Sequence, residues 1–397
     1  MTTVIVKHVL VVVVIVSSLV LQHARAKEGQ FYGGSMSYKM EKQANGTNLV
    51  TIELITGWVL GKGPCGPGCN HTDIGRSTRS TRPLMTRTNP NYLGNYTYDF
   101  KNKTTSKYYT RDMNALVLST YKETVIAVSE HEKWEQELLH FSFIMPTGVE
   151  KLYVNFDGRS WRQLTIQQGS GRWHLQTTVS KALRSDTGKP NHSPRSFAKP
   201  FYRVKLGTVA KVHIPAVDDG GDFIKCEFAK YAEGGDIAIY PPPNVQVFEN
   251  CTVSINTSMS SNYTDDSWIA VPVSVRDYNR EKITYGTDVF MPARFSFSAT
   301  TVQFVVQVLA NLITPDFVEP THESNHMFIM YADTSLRTEM YAKAPENTTI
   351  ESFTAFGIQH ETFKLSPIQQ DPRRPQVKYA IMTWGGFGRR QMFHIGC

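Results

Sequence analysis

The sequence predicts an all-β protein: tandem antiparallel β-sandwich modules behind a cleaved signal peptide. Three observations carry that expectation. Alternating apolar and polar residues recur in short runs along most of the chain. The runs are separated by Gly, Pro, Asn and Asp, the residues that turn chemistry demands. Between Val212 and Cys251, two such runs each hold one cysteine, Phe223-Ile224-Lys225-Cys226-Glu227-Phe228 and Cys251-Thr252-Val253-Ser254-Ile255. A strand-to-strand cysteine pair in a short β module is the staple of an extracellular sandwich.

Composition agrees. Of 397 residues, 41% are hydrophobic and 19% charged, which fits a globular chain rather than a disordered one. Aromatic residues reach 11%, which favours strands. The length allows two to four domains.

The first 26 residues read as a secretory signal. Lys7 supplies the positive start, Val9 to Leu21 the apolar stretch, and Ala24-Arg25-Ala26 the small-residue cleavage site. That stretch is shorter than the roughly 20 residues a membrane helix needs, and no later segment reads as a span. The expectation is a secreted, extracellular product. Removing Lys7 and Arg25 lowers the formal charge from +7 to +5, a mild attraction to polyanions. Nine Asn-x-Ser/Thr sequons occur, at Asn45, Asn70, Asn95, Asn102, Asn191, Asn250, Asn256, Asn262 and Asn347. Their abundance fits a surface exposed to N-glycosylation. Asn191 is the weakest of them, because Pro194 follows its Ser193.

Along the chain, residues 27–197 read as an N-terminal β-rich module. Its strands are expected at Phe31–Met40 and Leu49–Val59, joined through an Asn45-Gly46 hairpin turn. Further strands are expected at Val117–Val128, Glu137–Met145, Lys151–Phe156, Gln163–Gln167 and Trp173–Val179, with a turn at Phe156-Asp157-Gly158-Arg159. Glu130–Leu139 is the nearest approach to a helix pattern. Lys181–Lys205, with seven basic residues and three prolines, reads as a linker. A sandwich at 198–312 follows, with strands at Val212–Ala216, Phe223–Phe228, Val245–Phe248, Cys251–Ile255, Ser267–Val275 and Phe295–Val308. Thr314–Pro320 reads as a second linker. The last module, 321–397, has strands around Met327–Tyr331, Thr349–Phe356 and Val377–Trp384, and reads as an incomplete second sandwich.

The middle of the chain resembles tandem immunoglobulin- or cadherin-like modules of large extracellular animal proteins, some of them matrix components. The resemblance rests on Asp218-Asp219-Gly220-Gly221-Asp222, Cys226-Glu227-Phe228-Ala229, Cys251-Thr252-Val253, Trp268-Ile269-Ala270-Val271 and Val302-Gln303-Phe304-Val305-Val306-Gln307-Val308. Gly33-Gly34-Ser35-Met36-Ser37-Tyr38, Thr56-Gly57-Trp58 and the Cys65/Cys69 loop look similar in the first module. The chain lacks the extra cysteine pairs such modules often carry. The resemblance implies a sandwich architecture and a place in a matrix, including the organic matrix of skeletons or shells.

Several clusters are candidates for chemistry. Cys226 and Cys251 are expected to pair, stabilising the module by roughly 3–4 kcal/mol, and Cys65 with Cys69 by about 2 kcal/mol. Asp218, Asp219 and Asp222 could offer oxygens to Ca²⁺, as acidic junction loops of cadherin-like modules do, or form a plain solvated turn. No other cofactor is expected. Glu130-His131-Glu132-Lys133-Trp134-Glu135 lacks the spacing of a zinc or acid/base site. Arg76, Arg79, Arg82 and Arg87 could grip acidic or sulfated glycans. No nucleophile elbow, P-loop or dinucleotide motif is present, so no catalytic residues are assigned and no enzyme is expected.

These readings converge on a structural or adhesive glycoprotein of an extracellular matrix. Its expected partners are extracellular proteins or acidic glycans, with no nucleic acid. A secreted carbohydrate-binding recognition protein is the second reading and an extracellular hydrolase the third.

One cysteine remains over. With Cys65–Cys69 and Cys226–Cys251 formed, Cys397 is odd and terminal in an oxidising compartment. A secreted 1–397 product is expected to dimerise covalently through it. Non-reducing electrophoresis should show a dimer band that Cys397→Ser abolishes; a monomer band indifferent to the substitution overturns this.

Overall fold

The computed structural model describes residues 30–80, 95–101, 107–159, 161–167, 171–259, 262–322, 326–330, 334–350, 353, 363–385 and 391–395. The signal peptide, Asn102, Arg82, Arg87 and Cys397 lie outside these residues. Among the described residues, no helix is long and apolar enough to cross a membrane.

The chain is all-β with almost wholly antiparallel sheets. Its first nine strands are β1 (Phe31–Lys42), β2 (Asn48–Val59), β3 (Ser77–Ser80), β4 (Asn95–Lys101), β5 (Tyr108–Asp112), β6 (Val117–Ser129), β7 (Trp134–Ile144), β8 (Lys151–Arg159) and β9 (Arg172–Ser180). The β1–β2 hairpin turns at Asn45-Gly46, where Gly46 takes φ +82°. The next eleven are β10 (Arg195–Ser196), β11 (Phe201–Lys205), β12 (Val209–His213), β13 (Ala216–Val217), β14 (Phe223–Phe228), β15 (Val245–Val247), β16 (Thr252–Asn256), β17 (Ser267–Tyr278), β18 (Ile283–Tyr285), β19 (Asp288–Phe290) and β20 (Ser296–Leu309).

One 13-stranded sheet runs β3-β6-β7-β2-β1-β20-β9-β8-β4-β5, with β11 and β17 also on β20 and β14 on β17. It curls into a half-barrel. Period-2 alternation turns Met36, Tyr38, Ile52, Leu54, Phe141, Phe143, Val154 and Phe156 into one core. Phe31 sits at its hub, with ring centroids 4.3 Å from Trp173 and 4.9 Å from both Trp58 and Trp161. A bulge between Phe31 and Gly33 lets the next residue, Tyr32, join a separate stack with Phe201 and Trp268.

A second core lies between this sheet and the three-stranded sheet β12-β16-β15. Val271, Val273, Val302, Phe304 and Val306 from the large sheet meet Val212, Val245, Val253 and Ile255 from the small one. The Cys226–Cys251 disulfide ties β14 to the start of β16 and so crosses between the two layers. Beyond residue 312, β21 (Asp316–Val318), β23 (Leu336–Lys343), β24 (Phe363–Leu365), β25 (Gln369–Gln370) and β26 (Val377–Trp384) form a smaller sheet, while β22 (His326–Met330) pairs with β27 (Gln391–Ile395).

Several expectations need correction. The boundary at 197/198 does not separate two sheets: β1 and β9 on one side and β11 and β17 on the other all pair with β20. Lys181–Lys205 is no linker; its Asn191, Ser193, Ser196 and Phe201 are almost wholly buried. Its polar atoms bond inward, Ser193 N to Tyr38 O at 3.1 Å and Thr300 Oγ1 to Pro194 O at 2.6 Å. Phe156–Arg159 continues β8, because Gly158 leaves room for the Trp173 indole above it. Gln163–Gln167 forms no strand, and Glu130–Leu139 is a turn followed by β7. Asp316–Val318 in the second expected linker pairs with β23. The expected strand at Thr349–Phe356 falls mostly outside the described residues. Two one-turn helices, Tyr231–Gly234 and Asp236–Ile239, were not foreseen.

The β1–β20 seam depends on glycine. Gly33 has φ +128°, and a Cβ there would lie 2.0 Å from Gln303 O. Gly33→Ala is therefore expected to cost about 2–4 kcal/mol in denaturant unfolding. Gly46→Ala, where φ is also positive but nothing lies within 4 Å, should cost about 1 kcal/mol. Equal losses at the two positions would contradict a steric seam.

Candidate functional site

A dense buried polar cluster sits where the Lys181–Ser196 segment, the acidic turn and the β17 and β20 ends nearest each other meet. Arg184, only 5% exposed, is its centre. Its guanidinium makes a two-pronged bond to Asp222, and its Nε and Nη2 donate to Asp186 at 3.1 and 2.7 Å. Nη1 also donates to Asn191 Oδ1 at 2.9 Å, and the guanidinium carbon lies 4.4 Å from the Phe297 ring centre. Burial works against the charge, yet Asp222 and Asp186 outweigh it and raise the guanidinium above its ordinary value.

Asn191 passes the network on. Its Nδ2 donates to Asp277 Oδ2 and to Ser298 Oγ. Asp277 is fully buried in β17, and its Oδ1 accepts from Ser298 N at 2.7 Å and Ser298 Oγ at 2.9 Å. Asp218 approaches from the acidic turn; its Oδ1 accepts from Asp222 N at 3.0 Å, while its buried Oδ2 has no hydrogen-bond partner. Burial, reinforced by the Asp218 charge, pushes Asp277 up to about 7. Burial likewise pushes Asp218 up to about 6.

Asp218, Asp222 and Asp277 each place a carboxylate oxygen within 4.8 Å of the others. These three could hold a proton or a cation, and a cation would compete with Arg184 for Asp222. Asp219, expected with them, instead pairs with Lys39 at 2.9 Å. Asp277, Arg184 and Asn191 were missed by sequence reasoning. No local motif links residues so far apart; the basic run around Arg184 was visible but read as a linker.

Asn191 is also a correction to the glycosylation expectation. It is 2% exposed, and the nitrogen a glycan would occupy is spent on Asp277 and Ser298.

A second buried acid group lies under the Cys65–Cys69 loop, and that disulfide is formed. Glu135 and Glu137 stand two apart on β7, 0% and 1% exposed. Glu135 Oε2 accepts from Gly61 N at 2.6 Å, and the Glu137 carboxyl is buried beside Glu135 and the Cys65 backbone. Burial raises both carboxyls, and burial alone carries nearby Glu123 to about 7. The rest of the Glu130–Glu135 run is dispersed. Glu130 pairs with His71 at 2.6 Å, and Glu132 with Lys199 at 2.7 Å and Arg203 at 3.4 Å. Of the arginine loop, Arg76 turns to Cys65, and Arg79 pairs in register with Lys122.

The sign of the pH effect follows. A carboxyl raised in the folded state keeps a proton that the unfolded chain has released, so stability falls as pH rises from about 4 to about 7. Glu53 acts oppositely. Burial raises it, but the His140 hydrogen bond and the Arg195 and Lys39 charges bring it to about 2, so its contribution is lost only as pH drops towards 2. The unfolding free energy should be about 1–3 kcal/mol higher at pH 5 than at pH 7.5, and Asp277→Asn should shrink that difference. A slope unchanged by Asp277→Asn contradicts this assignment.

Compared with protein-family models and with curated proteins, the chain matches none.

Proposed function

We propose that the chain is a secreted, N-glycosylated structural or adhesive protein of an extracellular matrix, with immunoglobulin- or cadherin-like sandwich modules. The observation that carries this reading is the geometry of its sequons. At Asn45, Asn70 and Asn256 the sequon hydroxyl donates to the asparagine Oδ1 at 2.7 Å, from Thr47, Thr72 and Ser258. Such Asx-type turns place the amide on the protein surface, where the acceptor side chain must be reached. Asn45, Asn250, Asn262 and Asn347 are exposed, and Asn70 and Asn256 half-buried.

Two further features support the reading. In the layers built around 198–309 the Cys226–Cys251 disulfide bridges two sheets, as a disulfide does in immunoglobulin-like sandwiches. Both disulfides suit an oxidising compartment.

One observation favours the second reading, saccharide binding. Tyr108 is 63% exposed with its ring 6.4 Å from Tyr153, at the edge of a sheet face carrying Thr110, Asp99 and Gln176. Rings beside amides and carboxylates are what a sugar's flat C–H face and hydroxyls engage.

Glycosidase treatment of the secreted protein should lower its mass by several glycans, with Asn191 unmodified in peptide mapping. No mass shift would sink the glycoprotein reading. A glycan array separates the alternatives: a scaffold shows no saccharide preference, whereas binding abolished by Tyr108→Ala selects the second reading.

A further inference from the structure

The two disulfides sit in opposite environments. Cys226 and Cys251 are 2% and 5% exposed and belong to the sandwich core, with Val253, Val273 and Val275. Cys65–Cys69 closes a small ring, Cys65-Gly66-Pro67-Gly68-Cys69, on the surface above β6 and β7. Gly66 and Gly68 both take φ +85°, with nothing within 4 Å of where a Cβ would stand. The ring therefore holds its shape through the bond between its ends more than through packing.

Its two sulfurs also differ. Cys69 is 6% exposed and lies against Val125 and Val128. Cys65 is half-buried, and the Arg76 guanidinium donates to its Sγ at 3.2 Å and to its carbonyl oxygen at 2.9 Å. Arg76 is held there by Asp73 at 3.3 Å, and an Asp73 carboxylate oxygen lies within 4.8 Å of both sulfurs.

We propose that Cys65–Cys69 is a thiol–disulfide exchange site at which an external anionic thiol attacks Cys65. Arg76 draws the thiolate in, and the thiolate meets Cys65 because Cys69 is covered by Val125 and Val128. The incoming thiolate forms a bond to Cys65 Sγ as the Cys65–Cys69 bond breaks. Cys69 leaves with the electron pair as a thiolate and takes a proton from water. A second thiol, deprotonated, then attacks the mixed disulfide, freeing Cys65 as a thiolate that is protonated in turn. The balance is two external thiols oxidised to one disulfide and one protein disulfide reduced to two thiols. Opening the ring also releases the loop whose Gly61 amide holds Glu135, so the exchange state of the pair governs the cover over two buried carboxyls.

The test uses the full secreted chain with both disulfides formed. It is exposed to reduced glutathione, quenched with an alkylating agent, and mapped by peptide mass spectrometry. Glutathione should appear on Cys65, and the Cys65–Cys69 pair should open at least about 10-fold faster than Cys226–Cys251. The preference for glutathione over neutral 2-mercaptoethanol should fall with added salt. It should vanish in Arg76→Ala and return in Arg76→Lys. The slow Cys226–Cys251 pair reports in the same experiment that each variant is folded. An adduct on Cys69, equal opening of the two disulfides, or an Arg76→Ala rate equal to the parent's overturns the proposal.

Discussion

β20 is the element on which the rest of the structure depends. Its 14 residues hydrogen-bond to β1, β9, β11 and β17 and are buried over nearly their whole length. A strand covered on both faces loses the usual alternation, so its second half, Val302–Leu309, reads as a near-continuous apolar run broken by Gln303 and Gln307. Gln303 can be buried there because its amide finds two carbonyls, His174 O at 2.8 Å and Gly234 O at 2.9 Å. The approach of β1 to β20 requires that Gly33 carry no side chain, and its approach to β2 sets the same requirement on Gly34, where a Cβ would lie 2.2 Å from Ile55 O. Sheet continuity thus rests on two adjacent residues with no β-carbon.

Electrostatics reinforces the same junction. Arg184, Asp222, Asn191 and Asp277 join three chain segments through directional bonds, where an apolar contact would join them only by shape. Buried ion pairs add little net stability, but losing one partner costs about 3–5 kcal/mol, because an unpaired buried charge remains. The cluster therefore fixes how the strap 181–196 lies across the sheet more than how strongly it is held. The Cys226–Cys251 bridge fixes the other side of the sandwich.

Local features were legible in the sequence and long-range ones were not. Strands such as Leu49–Val59 and Val377–Trp384 announce themselves by alternation, and the two disulfides by the spacing of their cysteines. Lys181–Lys205 misled because proline and basic residues mark linkers on average. Here the prolines set an extended strap, and Arg184 is neutralised by Asp222, 38 positions away. Gly158 likewise read as a turn former, whereas it is the space left for Trp173. Two of the three acids of the cluster were visible, Asp218 and Asp222. Asp277 was hidden within a strand whose neighbours give no sign that its carboxylate faces another segment.

The pairing of Gly33 with Phe304 also sets the order in which the molecule can assemble. At about 5–20 residues per second, a ribosome makes the intervening chain in roughly 15–50 s. For that interval the Gly33-Gly34 edge of β1 has an amide row and no partner strand, the situation in which nascent β chains pair wrongly. The hairpin to β2 can close at once, because its ends are near in sequence, but the half-barrel cannot. Completion waits on the last long strand of the region, so a chain interrupted before β20 would keep β1 as an open edge however well its earlier hairpins had formed.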